Sequence, residues 1–288
     1  MPATSTPVPS GSGVGAVVAL KAGELVKSRL APLPQPLRRR LAWTMAVDTL
    51  QALSESVEAV CVVSDQPALH HRLVRAGLPA VEVVPETRPA GLNEALRLGA
   101  DHLRDLGLAC VLACVGDLPA LRAASVGHVL AGAAAYERSY LPDATGIGTT
   151  MLHAGAGALL APHFQGRSAA AHHSSGAVPL TDERLGTAVP DARRDVDTEV
   201  DLADATGLGL GRATAALVDP GSGRLGAYAV VTTTGRGGPD GSAGSAVTAA
   251  GVRVSLRDDR LADGLRSLRP GQRLHAVLHG TTVLSAWL

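Results

Sequence analysis

Four short apolar runs mark the first 115 residues: VGAVVAL (14–20), EAVCVV (58–63), VEVV (81–84) and ACVLACV (109–115). A continuous run of this kind is the pattern of a strand buried on both faces. Between the runs the spacing changes. Leu37, Leu41 and Met45 recur every four residues behind a proline-rich start, and Leu92, Ala95, Leu96, Gly99 and Leu103 share one helical face. Strand and helix therefore alternate, which predicts an α/β fold built on a parallel sheet with helices on both faces. Ligands of such sheets sit at the carboxyl ends of the strands.

Past residue 208 the pattern changes again. GLGLGR (207–212) reads as a linker, and short β-like runs with turn signals follow it: ATAALVDPGSGRLGAYAVVTTT, AVTAAGVRVSL, LRSLRPGQRLHAVLHG and TTVLSAWL. They predict a small all-β barrel or sheet. The chain divides into a leader rich in Pro, Ser and Thr (1–13), an α/β domain (14–210) and a β domain (211–288). The leader is expected to be disordered.

Composition narrows the function classes. Apolar residues make up 46% of the 288, so a core is available, but aromatics are only 2%, so Ala, Val and Leu must build it. The formal net charge is zero, which gives no global support to nucleic-acid or anionic-membrane binding. Cys61, Cys110 and Cys114 lie inside apolar runs and read as core residues of a reduced, cytoplasmic protein. Cys110 and Cys114 lack the partner ligands of a zinc site. The N-terminus has no signal-peptide pattern, and no apolar run reaches the roughly 20 residues that span a bilayer.

Candidate chemistry gathers at the strand ends. KAGELVKSRL (21–30) brings Lys21, Lys27, Ser28 and Arg29 just after the first strand. Such cations either face a triphosphate or sit in a solvated loop. The P-loop pattern G-x-x-x-x-G-K-[ST] is absent. Asp117, in GDLPAL, either caps a turn or holds Mg²⁺ beside phosphates. Asp195 and Asp197 lie in DVDTEVDLADATG, where Thr198 and Asp201 fit a capping box. Asn93 either caps a helix or contacts a nucleoside. A buried Asp48 must be hydrogen-bonded and reads as structural. PDATGIGTT (142–150) offers the N–H groups of Gly146 and Gly148 and the hydroxyls of Thr145, Thr149 and Thr150. It is either an anion nest or a ligand-free turn. In FQGRSAAAHHSSGA, Ser168 is a candidate N-cap, and His172 and His173 read as packing or surface residues. No G-x-S-x-G elbow supports hydrolase chemistry.

Taken in order, KSRLAP…RRRLAWTMAVDTLQAL, VVSDQPAL, GLNEAL, GDLPAL, PDATGIGTTML, HFQGRSAAAHHSSGA and RRDVDTEVDL resemble the phosphoenolpyruvate or 2-phospholactate guanylyltransferase family of coenzyme F-420 biosynthesis. The likeness covers roughly residues 14–207. It implies a Rossmann-like nucleotidyltransferase fold, similar to the nucleotide-diphospho-sugar transferases. It also implies GTP and Mg²⁺: the phosphate of a small three-carbon phospho-acid attacks the α-phosphorus of GTP, pyrophosphate leaves, and the product passes to a downstream transferase. By the same resemblance Lys27 and Arg29 act on the triphosphate, with Lys21, Ser28, Ser64, Asp65 and Asn93 on the nucleotide side. Asp117 and Asp195, with Asp197 as alternate, hold Mg²⁺, and Thr150, Gln165, Gly166 and Ser168 grip the phospho-acid. The family usually reads Phe-Gly where this chain has Phe164-Gln165, and Pro-x-Lys is common where it has Leu20-Lys21. The β domain is similar to cold-shock-like OB domains, but Tyr228 and Trp287 are nearly its only stacking residues, which argues against nucleic-acid binding. Two rival functions stay open: transfer to another phosphorylated acceptor, or a non-catalytic GTP- or RNA-binding regulator.

Overall fold

The computed structural model describes residues 13–21, 30, 32–88, 90–236, 242–262, 265 and 268–288. Lys27, Ser28, Arg29 and all but the last residue of the expected leader lie outside them.

The four apolar runs form β1 (Val14–Ala19), β2 (Ala59–Ser64), β3 (Glu82–Pro85) and β4 (Cys110–Cys114). They are mutually parallel in the order β3-β2-β1-β4. Their continuous apolarity has a direct cause. On β1, Ala16 and Val18 pack into one core cluster with α1 (Gln35–Ser54), α2 (Leu69–Arg75) and α4 (Ala123–Ala133). Val17 and Ala19 face the opposite cluster with α3 (Leu92–Asp105). Both faces of the strand are covered, so neither parity of residues can be polar.

The sheet is not purely parallel as expected. β5 (Arg138–Pro142) and β6 (Thr149–Ala154) form an antiparallel hairpin whose second strand docks against β4. A two-residue β7 (Val178–Pro179) closes the edge of a seven-stranded mixed sheet. The hairpin connection is Asp143 to Gly148, the middle of PDATGIGTT. Four short helices complete this half: α5 (Ser168–Ser174), α6 (Asp182–Leu185), α7 (Pro190–Arg193) and α8 (Glu199–Leu208). The capping box expected of Thr198 and Asp201 is present at the start of α8.

After α9 (Arg212–Ala215) come β8 (Ala227–Arg236), β9 (Ser242–Thr248), β10 (Arg253–Arg257), β11 (Arg273–His279) and β12 (Thr282–Trp287). They close into a barrel in the order β10-β12-β11-β8-β9, with β10 and β12 parallel. In sequence rank this is first-second-third-fifth-fourth-first, which fits an OB-like barrel. Its interior holds Val231, Ala246, Val254, Leu256, Leu274, Ala276 and Val283.

Helix α1 lies between the two halves. Every residue from Leu41 to Leu50 is buried. Trp43, Ala46, Val47, Leu50 and Leu53 face the sheet. Leu37, Leu41 and Met45, the four-residue series, pack instead with Leu202 of α8 and with Val277, Leu284 and Trp287 of the barrel. Asp48 ties the same helix to α9. Its carboxylate accepts the N–H groups of Ala213 (2.9 Å) and Thr214 (2.8 Å). Burial raises its pKa against the pull of those bonds. The structural reading of Asp48 therefore holds. All three thiols are free; Cys61 and Cys114 are buried, and burial pushes the Cys61 thiol up to about 12 and that of Cys114 up as well. Among the described residues, no helix is long and apolar enough to cross a membrane.

Candidate functional site

The carboxyl ends of β1, β2, β3 and β4 share one edge of the sheet, and the candidate residues collect there. Lys21 follows β1. Its Nζ lies 2.9 Å from Glu86 Oε1, at the end of β3, with both side chains largely buried. A buried ion pair of this kind fixes the lysine rather than leaving it to solvent. Ser64 ends β2. Its hydroxyl donates to Leu20 O (2.6 Å) and accepts from Gln66 N (3.1 Å), so it clasps the two strand ends together. Asp65, next to it, is exposed.

Asp117 follows β4, and its main-chain oxygen accepts the N–H of Val196 at 3.1 Å. Val196 itself is fully buried. One backbone bond thus joins segments almost 80 residues apart and sets Asp195 and Asp197, on either side of Val196, beside Asp117. Among the described residues, no group of three or more His, Cys, Asp or Glu side chains stands ready to hold a metal. A magnesium ion bound with substrate does not need one, because it takes one or two protein carboxylates and completes its shell with phosphate oxygens and water. The Asp117–Val196 arrangement fits that donor set.

PDATGIGTT is not an open anion nest. Asp143 Oδ1 accepts from Thr145 N (3.0 Å), Thr145 Oγ1 (2.9 Å) and Ile147 N (3.0 Å), and Oδ2 accepts from Gly148 N (2.9 Å). Gly146 N is spent on Asp143 O at 3.0 Å. The anion in the nest is the loop's own aspartate. A Cβ on Gly148 would stand 2.5 Å from Asp143 Oδ2, so glycine is needed there for the side chain of the loop and not for a phosphate. The reading of Gly146 and Gly148 as ligand donors is corrected accordingly.

Thr150, one residue into β6, is different. It is fully buried, and its hydroxyl meets no hydrogen-bond partner among the described residues. Its main-chain oxygen accepts from Val115 N (3.0 Å), two residues before Asp117. The metal-side and acid-side candidates therefore share one strand junction.

The segment 163–168 is held in place by two side chains. Asn93 does not cap α3, since Gly91 occupies that position. Its amide instead grips the Phe164 backbone: Oδ1 accepts from Phe164 N (2.7 Å) and Nδ2 donates to Phe164 O (3.2 Å). His172 is a buried staple. Its Nε2 accepts from the backbone N–H of His163 (2.8 Å), so the ring proton belongs on Nδ1, which lies 3.0 Å from Thr149 Oγ1. Burial first, then the charges near His163 and Arg138, hold its pKa down to about 4. Ala169 N donates to Ile147 O (3.1 Å) and fastens α5 to the hairpin loop. Ser168 is the first residue of α5 and buried, with Arg167 at the cap position, so its expected capping role is not seen. Gln165 takes φ +86° and Gly166 φ +58°. This position has a conformation that favours glycine, and glutamine adopts it under strain.

Glu86, Asp143 and the staple role of His172 were not anticipated from the sequence. Glu86 carried a usable signal, as an acid directly behind a buried strand on the edge that holds Lys21. The other two depend on tertiary partners.

A phosphoenolpyruvate guanylyltransferase of Salinispora arenicola is 43% identical over 206 residues, spanning 70% of this chain and 91% of the relative. One of Frankia casuarinae is 40% identical over 232 residues, spanning 73% and 79%. Among solved structures, a nucleotidyl transferase of Methanothermobacter is 21% identical, with 69% of this chain and 98% of that one covered at a TM-score of 0.44, a likeness too distant to carry an argument. No family model matches the chain.

Proposed function

The chain belongs to the phosphoenolpyruvate guanylyltransferase family, and on that premise we propose that it transfers the guanylyl group of GTP to the phosphate of phosphoenolpyruvate. An oxygen of the acceptor phosphate bonds to the α-phosphorus, the bond from that phosphorus to the β-phosphate oxygen breaks, and pyrophosphate leaves. The attacking oxygen is already anionic, so no general base is required. The work of the protein is alignment and charge neutralisation. The observation that carries the reading is the identity to named guanylyltransferases across nearly their whole length.

Mg²⁺, when bound, would supply positive charge against the phosphates. Asp117 and Asp195 are the residues proposed to hold it, with Asp197 as alternate, and their junction through Val196 supports that assignment. Lys27 and Arg29 are proposed to face the triphosphate, with Lys21 and Ser28 beside them and Ser64, Asp65 and Asn93 on the nucleotide side. For Asn93 the support is indirect, through the loop that its amide holds. Thr150, with its buried and unpartnered hydroxyl, is proposed to bind the phospho-acid together with Gln165, Gly166 and Ser168. We divide the chain near residue 211, and propose that the cold-shock-like barrel is a structural or regulatory appendage and that the product passes to a downstream deazaflavin-accepting transferase in the cytoplasm.

The acceptor is tested by supplying GTP and Mg²⁺ with phosphoenolpyruvate, 2-phospholactate or neither, with that downstream transferase present to trap the product. Phosphoenolpyruvate-dependent product is expected. Preferential use of 2-phospholactate, or release of pyrophosphate indifferent to the acceptor, would refute the assignment.

A further inference from the structure

At the strand-end edge one buried carboxylate oxygen has nothing to accept from. Glu86 follows β3, and its N–H donates to Ser64 O at 2.8 Å. Its Oε1 accepts from Lys21 Nζ (2.9 Å) and from Ala90 N (3.3 Å). Its Oε2 is buried and meets no hydrogen-bond partner among the described residues. A buried acceptor in this state is costly and calls for a donor from outside the fold. Glu86 takes one of the three donors on Lys21 Nζ. The pair therefore sets an acceptor and a donor side by side. The two side chains are only 12% and 4% exposed, so hydrogen bonds made to them compete with little water.

Position decides which part of a nucleotide arrives there. The strand order is β3-β2-β1-β4, so Glu86 lies three strand spacings, about 14 Å, from the end of β4 that carries Asp117. A nucleoside triphosphate laid along this edge with its phosphates at Asp117 brings its base to Glu86. Guanine presents O6 as an acceptor, with N1–H and the 2-amino group as donors beside it. Adenine presents the reverse, a 6-amino donor and a bare N1. It would set a donor against Lys21 and a lone pair against Glu86.

We propose that Lys21 and Glu86 read the guanine base, with Lys21 Nζ donating to O6 and Glu86 accepting from N1–H, and so set the preference for GTP over ATP. The assignment rests on the guanylyltransferase reading and, within it, gives Lys21 to the base instead of the triphosphate. The terminal torsion of a glutamate is broad, so the carboxylate can turn to meet the incoming N–H.

Pyrophosphate release with phosphoenolpyruvate and Mg²⁺ is measured for the wild type on GTP, inosine triphosphate, N1-methyl-GTP and ATP. Inosine triphosphate keeps O6 and N1–H and should stay within about tenfold of GTP in kcat/KM. N1-methyl-GTP and ATP should fall by about a hundredfold or more, since each leaves a buried polar group unpaired. Glu86→Gln keeps an oxygen for Lys21 and exchanges the other for a donor that suits adenine N1. It should shrink the GTP-to-ATP ratio of kcat/KM by at least about tenfold. A wild type that uses N1-methyl-GTP as readily as GTP or rejects inosine triphosphate as strongly as ATP overturns the base assignment, as does a Glu86→Gln variant that keeps the wild-type ratio. Guanylyl transfer itself survives those results. A wild type that turns over ATP as well as GTP, or turns over no guanine nucleotide, overturns both. The analogue series on the wild type decides the question even where the variant does not fold.

Discussion

Gln165 is a residue at odds with its backbone. A non-glycine residue at φ +86° carries roughly 1–2 kcal/mol of steric cost. Replacing it by glycine removes that cost and returns about 0.5–1 kcal/mol in chain entropy. Gln165→Gly should therefore be neutral to slightly stabilising in urea unfolding, whereas Gln165→Ile should lose more than about 1 kcal/mol, since β-branching makes the left-handed region worse. Equal stability of the two variants would place the strain elsewhere. His172 makes the second prediction at this scale. Its pKa falls from 6.5 in the unfolded chain to about 4 in the fold. A base depressed in this way stabilises the fold fully above pH 6.5, and that contribution is lost as pH falls from 6.5 towards 4. Protonation costs Nε2 the lone pair that receives His163 N–H, so the loss should be felt at the 163–168 segment. The stability difference between wild type and His172→Gln should shrink across that window. A pH-independent difference would remove the neutral-staple role.

The elements divide into those legible in the sequence and those that were not. β1, β2, β3 and β4 announced themselves because helices cover both of their faces, which forces a continuous apolar run. The β5–β6 hairpin did not, since β5 begins with Arg138 and the β7 strand beside it has two residues. Without that hairpin the sheet reads as purely parallel. PDATGIGTT was visible as an anion-binding loop, and it does bind an anion, but glycines and hydroxyls look the same whether the anion is a ligand or Asp143. The capping box at α8 was legible because both partners lie within four residues. The grip of Asn93 on Phe164, 71 residues away, has no local signature. The loop itself can be tested. Asp143→Ala should free the donors of Thr145, Ile147 and Gly148, most of them within reach of water, and cost about 1–2 kcal/mol. Formate should then fill the vacated position and raise the melting temperature of the variant but not of wild type. No selective effect of formate would mean that the loop rearranges instead of waiting for an anion.

For the whole molecule, α1 is the shared wall. Its burial on both sides is why residues 41–50 have no exposed position and why their polar side chains, Thr44, Asp48 and Thr49, are buried and hydrogen-bonded, and why the four-residue series Leu37, Leu41 and Met45 points to the barrel and not to the sheet. Asp48 adds a polar tie across the same junction, to the start of α9. Asp48→Ala leaves the N–H groups of Ala213 and Thr214 without acceptors in a buried setting, and should cost about 3 kcal/mol. The loss should appear as easier proteolysis within residues 207–226, ahead of global unfolding. Unchanged stability would show that apolar contacts alone hold the halves together. The catalytic reading rests on a different junction, the bond between Asp117 and Val196, which brings acids from two distant segments to the end of β4. Its most direct test is the rate of pyrophosphate release from GTP, Mg²⁺ and phosphoenolpyruvate, compared between wild type and Asp117→Ala. Release that requires phosphoenolpyruvate in wild type and falls by several orders of magnitude in the variant is the expected result. An Asp117→Ala protein that releases pyrophosphate at the wild-type rate would contradict the guanylyl transfer proposed for this edge of the sheet, with Asp117 as a metal-holding residue.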